Sequence, residues 1–489
     1  MSTVRVRSPA LKKSSWWLVA AAVACNSPPP APGPEGPGRG RLAFEVRDAA
    51  TGQLIPARLT LVGTGFTVDP MLGDGALGVV VGHTLLADNT IRTLDGTGEL
   101  DVPPGAYDVH VTRGPEWSRY LVHVDTGATT GATVHAELSH VIDPAGWLSG
   151  DFHVHAEPSY DSDVPLTSRA LEFVAEGVDL IVATDHNQVT DYAPAITSLG
   201  LGDALASLIG DEISTDSWGH FGAYPLGADA IGTGYGEAWK TGADGATVLA
   251  GVRRDHPDAL VQANHPRRDG QGFFTIAGFD RERVDGGEGF STDFDTIELL
   301  NGRDAAHFDD VLADWFALLD HGIVKTAMGN SDSHRLNQLA GYPRTYVRAA
   351  GIYAVPAAVK LNRAFLTTGP LLELTSSGGG IGDVVRAQTD HLDVSVRVLA
   401  APWIRLDTAT LYVDGVVVKE WTLPATEAVE RLAATETIDV PRDAYVVLRA
   451  DGTESMGPVV GNVVRGEILP LAVTNPLFVD RDGDGKFTR

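Results

Sequence analysis

Between residues 150 and 335 the chain repeats one design, a short apolar run that ends in histidine, aspartate or glutamate. The runs are DFHVH (151–155), DLIVATDHN (179–187), LIGDEI (208–213), ALVQANHP (259–266) and MGNSDSH (328–334). Runs this short and this apolar read as buried strands, and stretches with helical spacing of apolar residues separate them. SRALEFVAEGV follows the first run, VLAGVRRDH precedes ALVQANH, and DDVLADWFALLDHG precedes the last. The segments GYPRTYV and VPAAVKLNRAF close the unit, which is predicted over residues 147–370. Repeated strand–helix units favour a parallel sheet, and a long run of them favours a βα barrel, an α/β fold. In such a barrel the strand C-termini converge on one face. The polar run-ends His153, His155, Asp185, His186, Glu212, His265, Glu298, Asn301, Asp332 and His334 would therefore meet there.

With 489 residues the chain is too long for one compact core. Residues 41–142 alternate polar and apolar in short runs broken by turn signals such as Thr51-Gly52 and Pro103-Pro104-Gly105, the pattern of a β-sandwich. Two of its stretches, GRLAFEVRDAATGQLIPARLTL and VPPGAYDVHVTRG, resemble carboxypeptidase-regulatory-like or transthyretin-like modules. Residues 371–489 return to alternating strands and are expected to form a second β domain. The formal net charge of −27 and the absence of a basic stripe exclude nucleic acid as a partner, since tracking phosphates needs dense positive charge. A small anionic substrate stays open, because bound metal ions reverse the local potential.

The first 25 residues read as a targeting segment, with Arg5, Arg7, Lys12 and Lys13 before an apolar run too short to span a bilayer. The run ends in Ala22-Val23-Ala24-Cys25, which resembles a bacterial lipobox. Cys25 is the chain's single cysteine, so an intrachain disulfide is excluded. A lipid on Cys25 would be the one membrane contact, with residues 26–40 as a Pro/Gly-rich tether. The expected location is the bacterial cell envelope, as an outer-membrane lipoprotein or a secreted or periplasmic protein.

Residues at alternate positions of a strand share a face, so His153 and His155 can reach one ion. Imidazoles and carboxylates without thiolate suit Zn²⁺, Mn²⁺ or Fe²⁺. Two ions roughly 3.5–4 Å apart can bind one water and bring its pKa toward about 7, giving a bridging hydroxide as nucleophile. Asp332 is then the expected proton acceptor and His220 the general acid, with Asp151 and Asp185 orienting the histidines.

The order HxH, TDHN, Glu, NHP, SDSH resembles the PHP (polymerase and histidinol phosphatase) superfamily. The fuller stretches DFHVHAEPSYDS, IVATDHNQVTDY, GHFGAYPLG, GNSDSHR and AFLTTGP resemble its CehA/McbA-like metallohydrolases. That resemblance implies a distorted PHP-type barrel holding two or three divalent ions. It puts His153, His155 and Asp332 on a first ion, with Glu212 bridging to a second held by His265 and His220. A third position would use Asp161, His186 and His334. Asp161 is preferred to Asp163 because Tyr160-Asp161-Ser162 is the better match, and His220 can instead be a proton donor or a substrate contact. The superfamily implies a phosphoester substrate, the CehA/McbA branch an ester or carbamate. Asn301 and Arg344 are the candidate substrate contacts. A rival reading is a cell-surface binding protein with a catalytically inactive, structural metal site. Near the C-terminus, Asp480, Asp482 and Asp484 match the first half of an EF-type calcium loop and are a candidate Ca²⁺ position.

Overall fold

The computed structural model describes residues 40–460 and 467–489. The expected signal segment, Cys25 and nearly all of the tether fall in residues 1–39, outside the described residues. The architecture is mixed and sheet-rich, and the longest helix among the described residues has 13 residues.

The alternation in GRLAFEVRD becomes the strand Gly40–Asp48, with Leu42, Phe44 and Val46 buried on one face. It lies antiparallel to Thr97–Val102 and parallel to Gly131–Leu138 in a three-stranded sheet. A six-stranded sheet containing Ala57–Gly63 and Gly105–Thr112 packs Leu59, Leu61, Val109 and Val111 into the same core. The result is a two-sheet β module.

The central unit begins as its sequence pattern predicts. Trp147–Val154, Leu180–Ala183 and Ala206–Ile209 pair in parallel, joined by the helices Leu166–Ala175 and Ala193–Ser198. The expected continuous βα barrel does not follow. The chain changes sheet at Gly210, and Asp211–Ser214 then pairs antiparallel with His220–Tyr224, itself antiparallel to Leu260–Ala263. Only Leu260–Ala263, Thr296–Asn301 and Thr326–Asn330 resume parallel pairing, closing a five-stranded sheet.

The reason lies on the far edge of Trp147–Val154. Arg344–Arg348 pairs there antiparallel, so Thr326–Asn330 cannot take that edge in regular register. Backbone hydrogen bonds lace the two sheets at the run-ends. On one seam the Asp332 N–H donates to the His153 carbonyl at 2.9 Å and the His155 N–H to the Ser333 carbonyl at 3.1 Å. On the other, the Glu212 N–H donates to the Asp185 carbonyl at 3.2 Å and the Asn187 N–H to the Glu212 carbonyl at 2.9 Å. The two sheets do not close into a barrel, and their backbone contacts fall at the polar residues.

Hydrogen bonding also runs on past residue 370. Arg344–Arg348 pairs with Ala364–Thr367, then Leu471–Thr474, Ala444–Asp451, Thr408–Val413 and Val416–Thr422; with Leu477–Asp480 beside Ala444–Asp451, and Val384–Arg386 beyond it, they make one 11-stranded sheet with the first three central strands. A four-stranded sheet containing His391–Leu399 covers it, with Val394, Val396 and Val398 facing inward.

A Cβ on Gly210 would lie 2.8 Å from the Ala183 carbonyl oxygen and 3.2 Å from that of Ala223, so the sheet change needs a glycine. Gly210→Ala is expected to destabilise the protein by about 1–3 kcal/mol, the usual range for overpacking. A urea unfolding midpoint equal to wild type would contradict this account of the seam.

Candidate metal centre

Five run-end histidines, His220, and the carboxylates Glu212 and Asp332 meet in one buried cluster. Glu212 is fully buried at its centre. Its Oε1 lies 3.0 Å from His153 Nε2, 3.3 Å from His220 Nδ1 and 3.4 Å from His265 Nε2. Its Oε2 lies 2.7 Å from His186 Nδ1 and 3.4 Å from His155 Nε2. Asp332 Oδ1 lies 3.5 Å from His153 Nε2, 3.4 Å from His155 Nε2 and 3.4 Å from His334 Nδ1. Asp161 reaches in from the loop after the HxH strand, 3.2 Å from His334 Nε2 and 3.6 Å from His186 Nε2.

Four groupings could each hold an ion: His153/His155/Asp332, His153/Glu212/His265, His186/Glu212/His220 and His155/His186/His334. His220 groups with His186 and Glu212, and its ring also lies 5.1 Å from that of His265, the neighbour expected from the sequence.

His153 Nε2, His155 Nε2, His220 Nδ1 and Glu212 Oε2 are buried and make no hydrogen bond, although each lies within 3.4 Å of a polar atom. The ring nitrogens and carboxylate oxygens are thus close to one another yet misaligned for hydrogen bonding. Burying polar atoms unpaired is costly, and a cation satisfies them together. The donor set of imidazole and carboxylate suits a borderline divalent ion.

Neighbouring groups fix the rings. His153 Nδ1 is 2.8 Å from Glu298 Oε1, which leaves Nε2 facing the cluster. Glu298 also accepts the His265 N–H at 2.7 Å and the side-chain N–H groups of Asn301 at 2.9 Å and Asn330 at 3.1 Å. His155 Nδ1 is 2.9 Å from Ser159 Oγ, and Asn264 Nδ2 donates to Glu212 Oε1 at 2.8 Å. The orienting role assigned from sequence to Asp151 and Asp185 is corrected here. Asp151 accepts the backbone N–H groups of His153, Ser331 and Gly341, and Asp185 accepts those of Ala156 and the Tyr192 hydroxyl. They knit the loops beneath the rings, and burial pushes both carboxyls up to about 6. Glu298 was legible as a lone carboxylate interrupting the apolar run TIELL.

Charge is divided unevenly within the cluster. Burial opposes the charged form of His153, but Glu298, Glu212 and Asp332 outweigh it and hold the ring well above its usual range. His155, two residues on, is held well below that range by burial and by His334 and His186. Burial is also opposed at His186, where Glu212 and Asp161 raise it to about 10. Burial lowers His220. Against burial, the surrounding histidines hold Glu212 and Asp332 well below the carboxylate range. Backbone geometry is constrained as well: His265 and Asp332 have φ of 28° and 51°. Positive φ in a residue that is not glycine stores about 1–3 kcal/mol and persists where the surroundings impose it.

Asn301 donates to Asp332 Oδ2 at 3.4 Å, and Arg268 does so at 3.3 Å. Arg303 Nη1 lies 2.8 Å from His334 Nδ1 and 3.6 Å from Asp332 Oδ1. Arg268, Asn301 and Arg303 line one wall of a cavity of about 880 Å³, whose other wall is Arg449, Asp451 and residues 467–471. Arg268 is a functional candidate the sequence reading missed; its signal was the doubled arginine after NHP. Arg344 is not a substrate contact. It is 1% exposed, and its guanidinium donates to the Gly341 carbonyl at 2.8 Å and the Glu176 carbonyl at 3.1 Å. Near the C-terminus the carboxylates that converge are Asp443, Asp480 and Asp482, whereas Asp484 accepts the Lys486 N–H at 2.8 Å. Backbone N–H groups of Gly483 and Gly485 occupy Asp480, as in a capped turn.

No family model matches the chain, and no curated protein matches it in sequence. Solved structures similar to it include a two-domain protein from Bacteroides vulgatus containing a predicted PHP-like metal-dependent phosphoesterase. That similarity has 16% identity over 69% of this chain and 97% of that one, with a TM-score of 0.37. PsfC from Pseudomonas syringae matches at 17% identity over 42% of this chain and 84% of that one, with a TM-score of 0.28. A CARDB domain from Pyrococcus furiosus matches at 19% identity over 23% of this chain and 94% of that one, with a TM-score of 0.16.

Asp211, beside Glu212, gives a pH test. Its Oδ2 accepts the Gly236 N–H at 2.8 Å, its Oδ1 is buried without a partner, and burial raises the carboxyl to about 7. The fold therefore favours the protonated acid, and the stability it contributes is lost as pH rises through about 7. Asp211→Asn keeps an oxygen for Gly236 and cannot ionise. In thermal melts with chelator it is expected to match wild type near pH 4 and to exceed it by about 1–4 kcal/mol above pH 7. A variant less stable than wild type at alkaline pH would contradict this.

Proposed function

We propose that this protein is a metal-dependent hydrolase of the PHP type whose substrate is an anionic ester, phosphoesters first. The observation that carries the proposal is the set of buried, unpaired lone pairs around Glu212. His153, His155 and Asp332 would hold one ion. Glu212 would bridge toward His265 and His220, and His186 and His334, with Asp161 3.6 Å and 3.2 Å from them, would hold a further one. Divalent ions in such a site supply Lewis acidity and a water ionised near neutral pH.

The chain's own residues account for the rest. Glu298 and Ser159 orient His153 and His155, and Asn264 orients Glu212. Asp332 Oδ2 faces Arg268 and Asn301 and is the oxygen placed to take a proton. His220, kept neutral by burial and turned with Nδ1 toward Glu212, suits a ligand better than a general acid.

Arg268 and Arg303 favour an anionic substrate. They are about a quarter exposed, and each directs a guanidinium to both the cavity and Asp332. Arg449 across the cavity is already matched by Asp451 and Asp309. Two forked cations beside the ligand cluster suit a phosphoryl group better than a neutral carbamate. The CehA/McbA resemblance of the motifs keeps carbamates and carboxyl esters as the next classes. The envelope location and lipid tether at Cys25 belong to this reading on the strength of residues 1–40.

The test is turnover by metal-loaded protein of aryl phosphates, phosphodiesters, carboxyl esters and carbamates in parallel. Phosphoesters are expected to be cleaved, with KM raised about 10- to 100-fold in Arg268→Ala or Arg303→Ala, the worth of a hydrogen bond to a charged group. Cleavage of carbamates alone would overturn the substrate class, and silence across all four would overturn the hydrolase.

A further inference from the structure

We infer that the N-terminal β module is a working part of the metal centre, and that Arg92 is a positioning residue for it. The inference rests on the metal-binding reading above. Arg92 lies on the strand Thr90–Thr93 of that module and is 3% exposed. Its Nη2 is 3.4 Å from Glu172 Oε1, on the helix Leu166–Ala175 of the central unit. The other oxygen of Glu172 pairs with Arg169. Arg169 then spends its remaining donors on the metal centre's backbone. Its Nε donates to the His155 carbonyl at 3.0 Å, its Nη1 to Ser333 Oγ at 2.9 Å, and its Nη2 to the Ser333 carbonyl at 3.3 Å. Ser333 sits between Asp332 and His334, so the chain Arg92–Glu172–Arg169 ends on His155, one of the proposed ligands, and on the residue that joins two others.

A second grip from the same module acts on the same loop. Arg92 Nη2 also donates to the Leu336 carbonyl at 3.3 Å, and the Leu336 N–H donates to the Ala76 carbonyl at 2.9 Å. The Leu336 side chain is buried with Leu85 and Ala87 of the N-terminal module and with Val164 and Leu171 of the central unit. The loop that carries Asp332 and His334 is thus held at both its backbone and its side chain by a different sheet system.

Stability alone does not explain a buried arginine here. Arg92 leaves Nε and Nη1 without partners, so the cost of burying its charge is only partly repaid by Glu172 and the Leu336 carbonyl. What a guanidinium does that an apolar chain cannot is fix Glu172, and through it Arg169, at one distance from His155 and Ser333.

The test uses the full chain and Zn²⁺ in competition with a chromophoric chelator, with thermal melts alongside. Arg92→Met leaves Glu172 paired with Arg169. It is expected to stay folded and to weaken one Zn²⁺ equivalent by about 10- to 100-fold, the usual effect of removing a group that orients ligands. The remaining equivalents should be unchanged. Arg92→Lys keeps the charge and should recover part of the loss; should the Met variant not fold, the Lys variant decides, since it too is expected to weaken one equivalent. Wild-type protein that binds Zn²⁺ alongside folded variants of unchanged affinity would overturn the positioning role. Wild-type protein that binds none would overturn the metal reading itself.

Discussion

The structure depends on one buried carboxylate. Glu212 presents both oxygens to five imidazoles in a region closed to solvent, with Glu298 and Asp332 also buried nearby. Taking an ion out of water costs several kcal/mol even after relaxation, and repayment requires close partners of opposite charge. The imidazoles supply part of it, which is why His153 and His186 are pulled toward protonation while His155 is pushed away from it. Proton and divalent ion compete for the same lone pairs, and a divalent ion neutralises more charge per position.

From that centre the fold can be read outward. Two sheets that do not pair along their length are laced at His153, His155, Glu212 and Asp332, so the seams of the fold also carry the buried histidine–carboxylate cluster. The positive φ angles of Asn187 and Asp332 sit on those two seams. Each flanking β region contributes at close range. The N-terminal module grips the loop after Asp332, and the C-terminal sheet supplies Arg449 and Asp451 to the wall facing Arg268 and Arg303. Neither flank is a passive spacer.

What the sequence made legible was periodic or local. Apolar runs ending in His, Asp or Glu predicted buried strands with polar ends, and the residues at those ends do share one cluster. Alternation in GRLAFEVRD and LDVSVRVLA predicted half-buried strands, and inward residues such as Phe44 and Val396 are buried. What escaped was set by long-range pairing. Nothing local says that Gly210 turns the chain into a second sheet, or that Arg344–Arg348 takes the edge a barrel would need. Arg344 looked available because its partners are carbonyls of Gly341 and Glu176, which no side-chain pattern announces. Asp443 is far in sequence from Asp480, so a motif that counts residues forward chose Asp484 in its place.

The most direct measurement is elemental analysis of the full chain purified without added metal, comparing wild type with Glu212→Gln. The proposed metal centre predicts two or three transition-metal equivalents in wild type. It predicts a clear loss in the variant, which keeps its shape and removes the central charge. Folded wild-type protein that carries no metal and takes up none on reconstitution would contradict the account at its centre.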